Sequence, residues 1–123
     1  MSSISTHVLD IAAGRPAAGM RVRLERAGPA RKHDEEELDA ATTDANGRIA
    51  SLGPAVIGPG TYRLIFDTGG YLARQRASAG RASGPEIAAF FPEVTVTFAV
   101  DGREHYHVPL LMSPVGYSTY RGS

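Results

Sequence analysis

The sequence predicts an all-β fold, two packed antiparallel sheets accompanied by one short helix. Short apolar runs recur along the chain with glycine and proline between them, the layout of a sandwich or barrel and not of a helical bundle. Several of these runs alternate apolar and polar residues with period two, so one face meets a core and the other meets water. Only one segment switches to a helical period. The 123 residues fit a single domain spanning 1–123, and a domain of that size buries roughly two-thirds of the surface of its unfolded chain.

A first strand is expected from Ile4 to Asp10, ended by the turn Gly14-Arg15-Pro16. Met20 to Arg26 alternates apolar and charged residues and forms the next strand. Residues 27–37 read as a solvated polar loop or strand end. A strand resumes from Leu38 to Thr43, and Asp44-Ala45-Asn46-Gly47 follows as a turn, because Asn-Gly accepts positive φ. Arg48 opens the strand after it. Thr61 to Asp67 is a strand with Tyr62, Leu64 and Phe66 on one face. Tyr71, Leu72, Gln75 and Arg76 then fit a short amphipathic helix. Residues 77–88, rich in Ala, Ser and Gly, read as a loop. Glu93 to Val100 is the clearest β segment, with Val94, Val96, Phe98 and Val100 sharing a face. Asp101-Gly102 is a hairpin-type turn, His105 to Met112 a strand, Ser113 to Gly116 a turn, and Tyr117 to Tyr120 a final short strand.

Composition excludes several classes of function. Cysteine is absent, which removes disulfides and thiolate metal sites and fits a reducing compartment. The opening residues carry neither a basic nor an apolar signal region, and no apolar run reaches membrane-spanning length. The expected location is cytoplasmic. Thirteen basic and thirteen acidic side chains cancel, so no nucleic-acid or membrane partner driven by bulk charge is expected.

Chemistry-bearing side chains fall in a few places. His105 and His107 are two apart on an expected strand and project from the same face. His7 lies on the first strand, Arg48 follows a tight turn, and Tyr120-Arg121-Gly122-Ser123 ends the chain with a phenol, a guanidinium and a carboxylate. Each has a plain structural reading. A strand histidine is ordinarily a surface or satisfied core residue, a turn-flanking arginine is ordinarily solvated, and a polar tail ordinarily frays. His7, His105 and His107 could also form a three-imidazole zinc site.

Taken together, these segments resemble the transthyretin-like family of 5-hydroxyisourate hydrolases. Ser5-Thr6-His7-Val8-Leu9-Asp10 with Gly14-Arg15-Pro16-Ala17 is similar to that family's opening. Thr43-Asp44-Ala45-Asn46-Gly47-Arg48 looks like its turn motif, and Tyr62 to Thr68 and Phe90-Phe91-Pro92 like its central strands. His105-Tyr106-His107-Val108-Pro109-Leu110-Leu111, Ser113-Pro114 and Gly116 to Ser123 resemble its ending. A terminal Tyr-Arg-Gly-Ser separates the hydrolases from the hormone-carrying transthyretins. The departures, an acidic Asp34 to Glu37 loop and an Ala/Gly-rich 77–89 segment, touch no motif.

The resemblance implies a transthyretin-like sandwich of two four-stranded antiparallel sheets. It also implies a homotetramer, a dimer of dimers with active sites in the channel between dimers. The implied reaction opens 5-hydroxyisourate to 2-oxo-4-hydroxy-4-carboxy-5-ureidoimidazoline without metal or cofactor. His7, Arg48, His107 and Tyr120 are the implied catalytic residues. His7, Arg48, Tyr120, Arg121, Gly122 and Ser123 are implied to bind substrate, and His105 has a supporting place. A neutral His7 or His107 would take a proton from water, with Arg48 helping to keep it neutral and holding an anionic oxygen. The alternatives are a non-enzymatic carrier of small aromatic ligands, the zinc site, and a purely structural sandwich.

Overall fold

The computed structural model describes residues 3–27, 36–54, 57–78, 89–102 and 104–122. Most of the expected 27–37 and 77–88 loops lies outside the described residues, as does Ser123. The strands are β1 Ile4–Asp10, β2 Arg15–Pro16, β3 Arg21–Ala27, β4 Glu36–Thr42, β5 Arg48–Leu52, β6 Gly60–Phe66, β7 Val94–Val100, β8 Tyr106–His107, β9 Leu110–Ser113 and β10 Gly116–Thr119; the helix α1 is Thr68–Ser78. Among the described residues no helix is long and apolar enough to cross a membrane.

One sheet is a four-stranded antiparallel array in the order β4-β3-β6-β7. Its strands follow the alternation in the sequence. Met20, Val22 and Leu24 are fully buried, as are Tyr62, Leu64 and Phe66, while Arg21 and Arg23 turn outward. Burying side chains of this size stabilises the fold by about 1.5–3 kcal/mol each.

The other sheet carries the candidate site residues, and it departs from the expected four antiparallel strands. Six strands take part, arranged around β1. On one side β5 pairs with Ile4 to His7 and β2 with Leu9 and Asp10, both antiparallel. On the other, β8 pairs with Ile4 and Ser5 and β9 with Val8 to Asp10, both parallel. β10 then closes as an antiparallel hairpin on β9. The six strands thus occupy four tracks, two of them broken. The break between β8 and β9 falls at Val108-Pro109, where proline offers no N–H to the ladder, so the strand expected from His105 to Met112 is interrupted. The Asp101-Gly102 turn is not a hairpin between paired strands: it carries the chain from β7 in one sheet to β8 in the other.

The helix lies after β6, as its period predicts, and begins at Thr68. The Asp67 Oδ1 accepts the Gly70 N–H at 3.0 Å, an N-cap bond that satisfies one of the free donors of the first turn. Thr68, Tyr71 and Leu72 form its buried face. The Tyr71 hydroxyl donates to the buried Asp10 Oδ2 at 2.8 Å, tying α1 to the end of β1. Burial and the Asp10 carboxylate both push the Tyr71 phenol far above its ordinary value, so it stays a donor.

Candidate active site

Strand β1 divides its residues between two faces. Ile4, Thr6, Val8 and Asp10 point inward and are buried, so Ser5 and His7 lie on the outer face. The neighbouring tracks sort the same way. Ile49 and Leu52 of β5 are buried while Arg48 and Ala50 are exposed; Tyr106 and Val108 are buried while His105 and His107 turn outward. The register sets His7 opposite Arg48 and Ser5 opposite His107. Three strands therefore bring one guanidinium, one hydroxyl and three imidazoles onto a single patch.

The patch opens into a cleft of about 290 Å³ whose lining includes Ser5, Asp44, Arg48, His105 and His107. Asp44 shapes the turn before Arg48, accepting the N–H groups of Asn46 at 2.8 Å and Arg48 at 2.9 Å. Those two bonds hold its carboxyl below the usual carboxylate range, and the charges of Arg48 and His7 add to the effect. Gly47 completes the turn at φ 75°, a conformation that disfavours other residues, and an added Cβ would come within 2.4 Å of the Val8 carbonyl oxygen.

His107 is fixed through one ring nitrogen. Its Nδ1 lies 2.7 Å from the Ser5 Oγ, among the described residues none bonds its Nε2, and the residue lines the cleft. The same Ser5 Oγ lies 2.7 Å from the His105 Nε2, and the His105 Nδ1 is 2.5 Å from the Ser3 Oγ. Burial lowers the His107 pKa below its ordinary 6.5, and like-charge repulsion from His7, Arg48 and His105 lowers it further. A half-buried imidazole kept neutral, with one nitrogen anchored and the other free, has the form of a general base.

The C-terminal segment packs beside this patch. The Gly122 N–H donates to the His107 carbonyl oxygen at 2.8 Å, and the two residues form an antiparallel bridge. Arg121 pairs with Glu104 and lies 4.9 Å from the centre of the Tyr106 ring. Tyr120, 60% exposed, lines with Arg121 a second, apolar hollow of about 130 Å³, and His107 borders both spaces.

The structure thus gathers His7, Arg48, His105 and His107 on one outer face and sets Tyr120, Arg121 and Gly122 against its His107 side. Tyr120 and Arg121 are not in the lining of the cleft itself. Ser123 lies outside the described residues. Among the described residues no three His, Asp or Glu groups come together as a metal-binding set, so His7, His105 and His107 do not form the three-imidazole arrangement. Sequence reasoning did not single out Ser5, which lines the cleft and lies beside both His105 and His107. Its signal was its place two residues before His7 on the same strand face, but only the parallel pairing of β1 with β8 brings it to His107.

Comparison with known proteins places the chain in a family. Residues 4–122 match the model of the HIUase/Transthyretin family. A 5-hydroxyisourate hydrolase of Mesorhizobium japonicum is 46% identical over 123 residues, which span 98% of this chain and 91% of that one. The solved 5-hydroxyisourate hydrolase of Klebsiella pneumoniae is 40% identical, with a TM-score of 0.78 over 100% of both chains. Transthyretin from Sparus aurata has a TM-score of 0.80 over 98% of this chain and 96% of that one, at 26% identity. The fold is common to the hydrolase and to transthyretin, while sequence identity is higher to the hydrolases. By these measures the chain belongs to the HIUase/Transthyretin family.

Proposed function

We propose that this protein is a 5-hydroxyisourate hydrolase of urate degradation, converting its substrate to 2-oxo-4-hydroxy-4-carboxy-5-ureidoimidazoline. The observation that carries this reading is His107, anchored at Nδ1 by Ser5, held neutral, and facing a cleft that Arg48 also lines. Full-length relatives that bear the hydrolase name support it.

The chemistry follows from what those groups can do. Attack by water on the ring carbonyl requires a proton acceptor, and the free Nε2 of His107 supplies it near neutral pH. Its depressed pKa keeps that nitrogen unprotonated. The guanidinium of Arg48, always charged, holds the oxygen on which negative charge develops. His7, opposite Arg48 across the β1–β5 ladder, shares substrate contact and proton handling. Tyr120 supplies a hydrogen bond from the rim, Arg121 and Gly122 close the pocket around the substrate, and Ser123 keeps the substrate-binding role that the family resemblance implies. His105 supports His107. No step calls for a metal or a cofactor.

The same reading takes residues 1–123 as one transthyretin-like domain, cytoplasmic and assembled as a homotetramer in which sites lie between dimers. Tyr120 and Arg121 then complete a site built from facing subunits, which accounts for their place outside the cleft of their own chain.

The test is to mix the protein with freshly generated 5-hydroxyisourate and follow its absorbance. Decay that outpaces the spontaneous reaction and scales with protein concentration is the expected result. A stoichiometric spectral change without turnover would identify a carrier of aromatic ligands instead.

A further inference from the structure

The cleft base is part of a longer chain of hydrogen-bonding groups, and the chain has a direction. Ser5 is buried and its Oγ stands at 2.7 Å from two ring nitrogens, the Nδ1 of His107 and the Nε2 of His105. A hydroxyl has one hydrogen, so it donates to one ring and accepts from the other. If Nε2 of His107 is to accept a proton from water, its Nδ1 must carry the hydrogen of the neutral ring. Nδ1–H then donates to the Ser5 Oγ, the Ser5 O–H donates to the His105 Nε2, and the His105 Nδ1–H donates to the Ser3 Oγ at 2.5 Å. Every contact in the chain is satisfied in this arrangement; the reverse order satisfies the same contacts but leaves the His107 Nε2 protonated and unable to accept a proton from water. His105, unlike His107, is exposed.

We propose that Ser5 is a proton relay between His107 and His105, so that the proton drawn from the attacking water is carried by the pair and not by His107 alone. This inference rests on the hydrolase reading above. As water attacks, its proton moves to the His107 Nε2. The Nδ1 proton of His107 passes to the Ser5 Oγ while the Ser5 hydroxyl proton passes to the His105 Nε2. His107 is again neutral, now protonated at Nε2, and the positive charge sits on His105 beside solvent. When the ring C–N bond breaks, the His107 Nε2–H protonates the leaving nitrogen, and the relay runs backward to restore the Nδ1–H form. No proton or electron is left over in the cycle.

The relay answers a difficulty posed by the site. A cation at His107 is disfavoured by burial and by the neighbouring positive charge of Arg48 and, when protonated, of His7. Moving the charge one ring outward places it where water can solvate it. Ser5 is thereby a positioning residue, since it fixes the tautomer of His107 and does not touch the reacting carbon.

The experiment measures kcat, KM and the proton inventory in mixed H2O and D2O for wild type, Ser5→Ala, Ser5→Thr and His105→Gln. Wild type is expected to give a curved inventory, the mark of several protons in flight. Ser5→Ala should lower kcat by about 10–100-fold with KM little changed, within the range of lost acid–base assistance, and make the inventory linear. Ser5→Thr should restore both. His105→Gln, at an exposed position, accepts the serine hydrogen but cannot hold the charge, so it should also give a linear inventory even where Ser5→Ala does not fold. In parallel, 15N NMR should find neutral His107 protonated at Nδ1 in wild type. The relay is overturned by wild-type kcat in Ser5→Ala, by a curved inventory in either Ser5→Ala or His105→Gln, or by an Nε2-protonated His107 in the resting protein. Each of these leaves the hydrolase reading standing, whereas a wild-type protein without turnover removes that reading and the relay together.

Discussion

His107 is less basic than an ordinary histidine because burial penalises its cation first, and His7, Arg48 and His105 then add repulsion. The folded protein therefore binds this proton more weakly than the unfolded chain, so stability falls as pH drops from about 6.5, the ordinary histidine value, through the lower folded-state value. Thermal unfolding followed from pH 8 downward should show Tm declining in that window, with a smaller decline in His107→Asn. The rate should fall on the acid side with a midpoint below that of free imidazole, as kcat/KM against pH will show. At this scale the sequence was informative where a residue type announces its chemistry. Arg48 stands after a recognisable Asn-Gly turn, and His105 and His107 are spaced to share a face. Ser5 announces nothing, because a serine in a strand is commonplace and its partners lie a hundred residues away, across a parallel pairing no local pattern encodes.

Elements hold these residues in place through a few specific contacts. The Tyr71 hydroxyl on α1 meets the buried Asp10 carboxylate at the end of β1. Tyr71→Phe should cost about 1–3 kcal/mol, the penalty for leaving a buried polar group without its partner, measured by urea unfolding. The tail is held against β8 by the Gly122–His107 bridge and by close packing around it. An added Cβ at Gly122 would lie 2.5 Å from the Cδ2 of His107, so Gly122→Ala should push the two segments apart. Turnover is expected to fall by about tenfold, equivalent to about 1.4 kcal/mol of barrier, with little change in Tm. Periodicity made most elements legible: the alternation over Met20 to Arg26 and Glu93 to Val100 gave strands, and the change of period at Tyr71 gave the helix. It did not reveal the break at Val108-Pro109, because the residues on either side still alternate. Nor did it show that the Asp101-Gly102 turn leads to a different sheet, since a turn motif fixes local backbone and not the destination of the chain.

At the level of the whole molecule, two sheets enclose one core and the site lies outside it, on the outer face of the sheet built around β1. An active site on an exposed sheet face needs something to cover it, and the proposed homotetramer would supply facing subunits. Sedimentation equilibrium should accordingly give four chain masses, and a monomeric yet fully active protein would remove that part of the account. The two-sheet layout was readable because alternating strands must pair their apolar faces. The number of strands around β1 was not, because short segments such as Arg15–Pro16 and Tyr106–His107 are defined only by their pairing. The central claim is that 5-hydroxyisourate is opened at the His107 cleft. It is tested most directly by the initial rate of 5-hydroxyisourate loss with wild type and with His107→Asn side by side. Wild type is expected to run well above the spontaneous rate and the variant to be slower by about 100-fold or more; a variant that turns over substrate as fast as wild type would show that His107 is not the base.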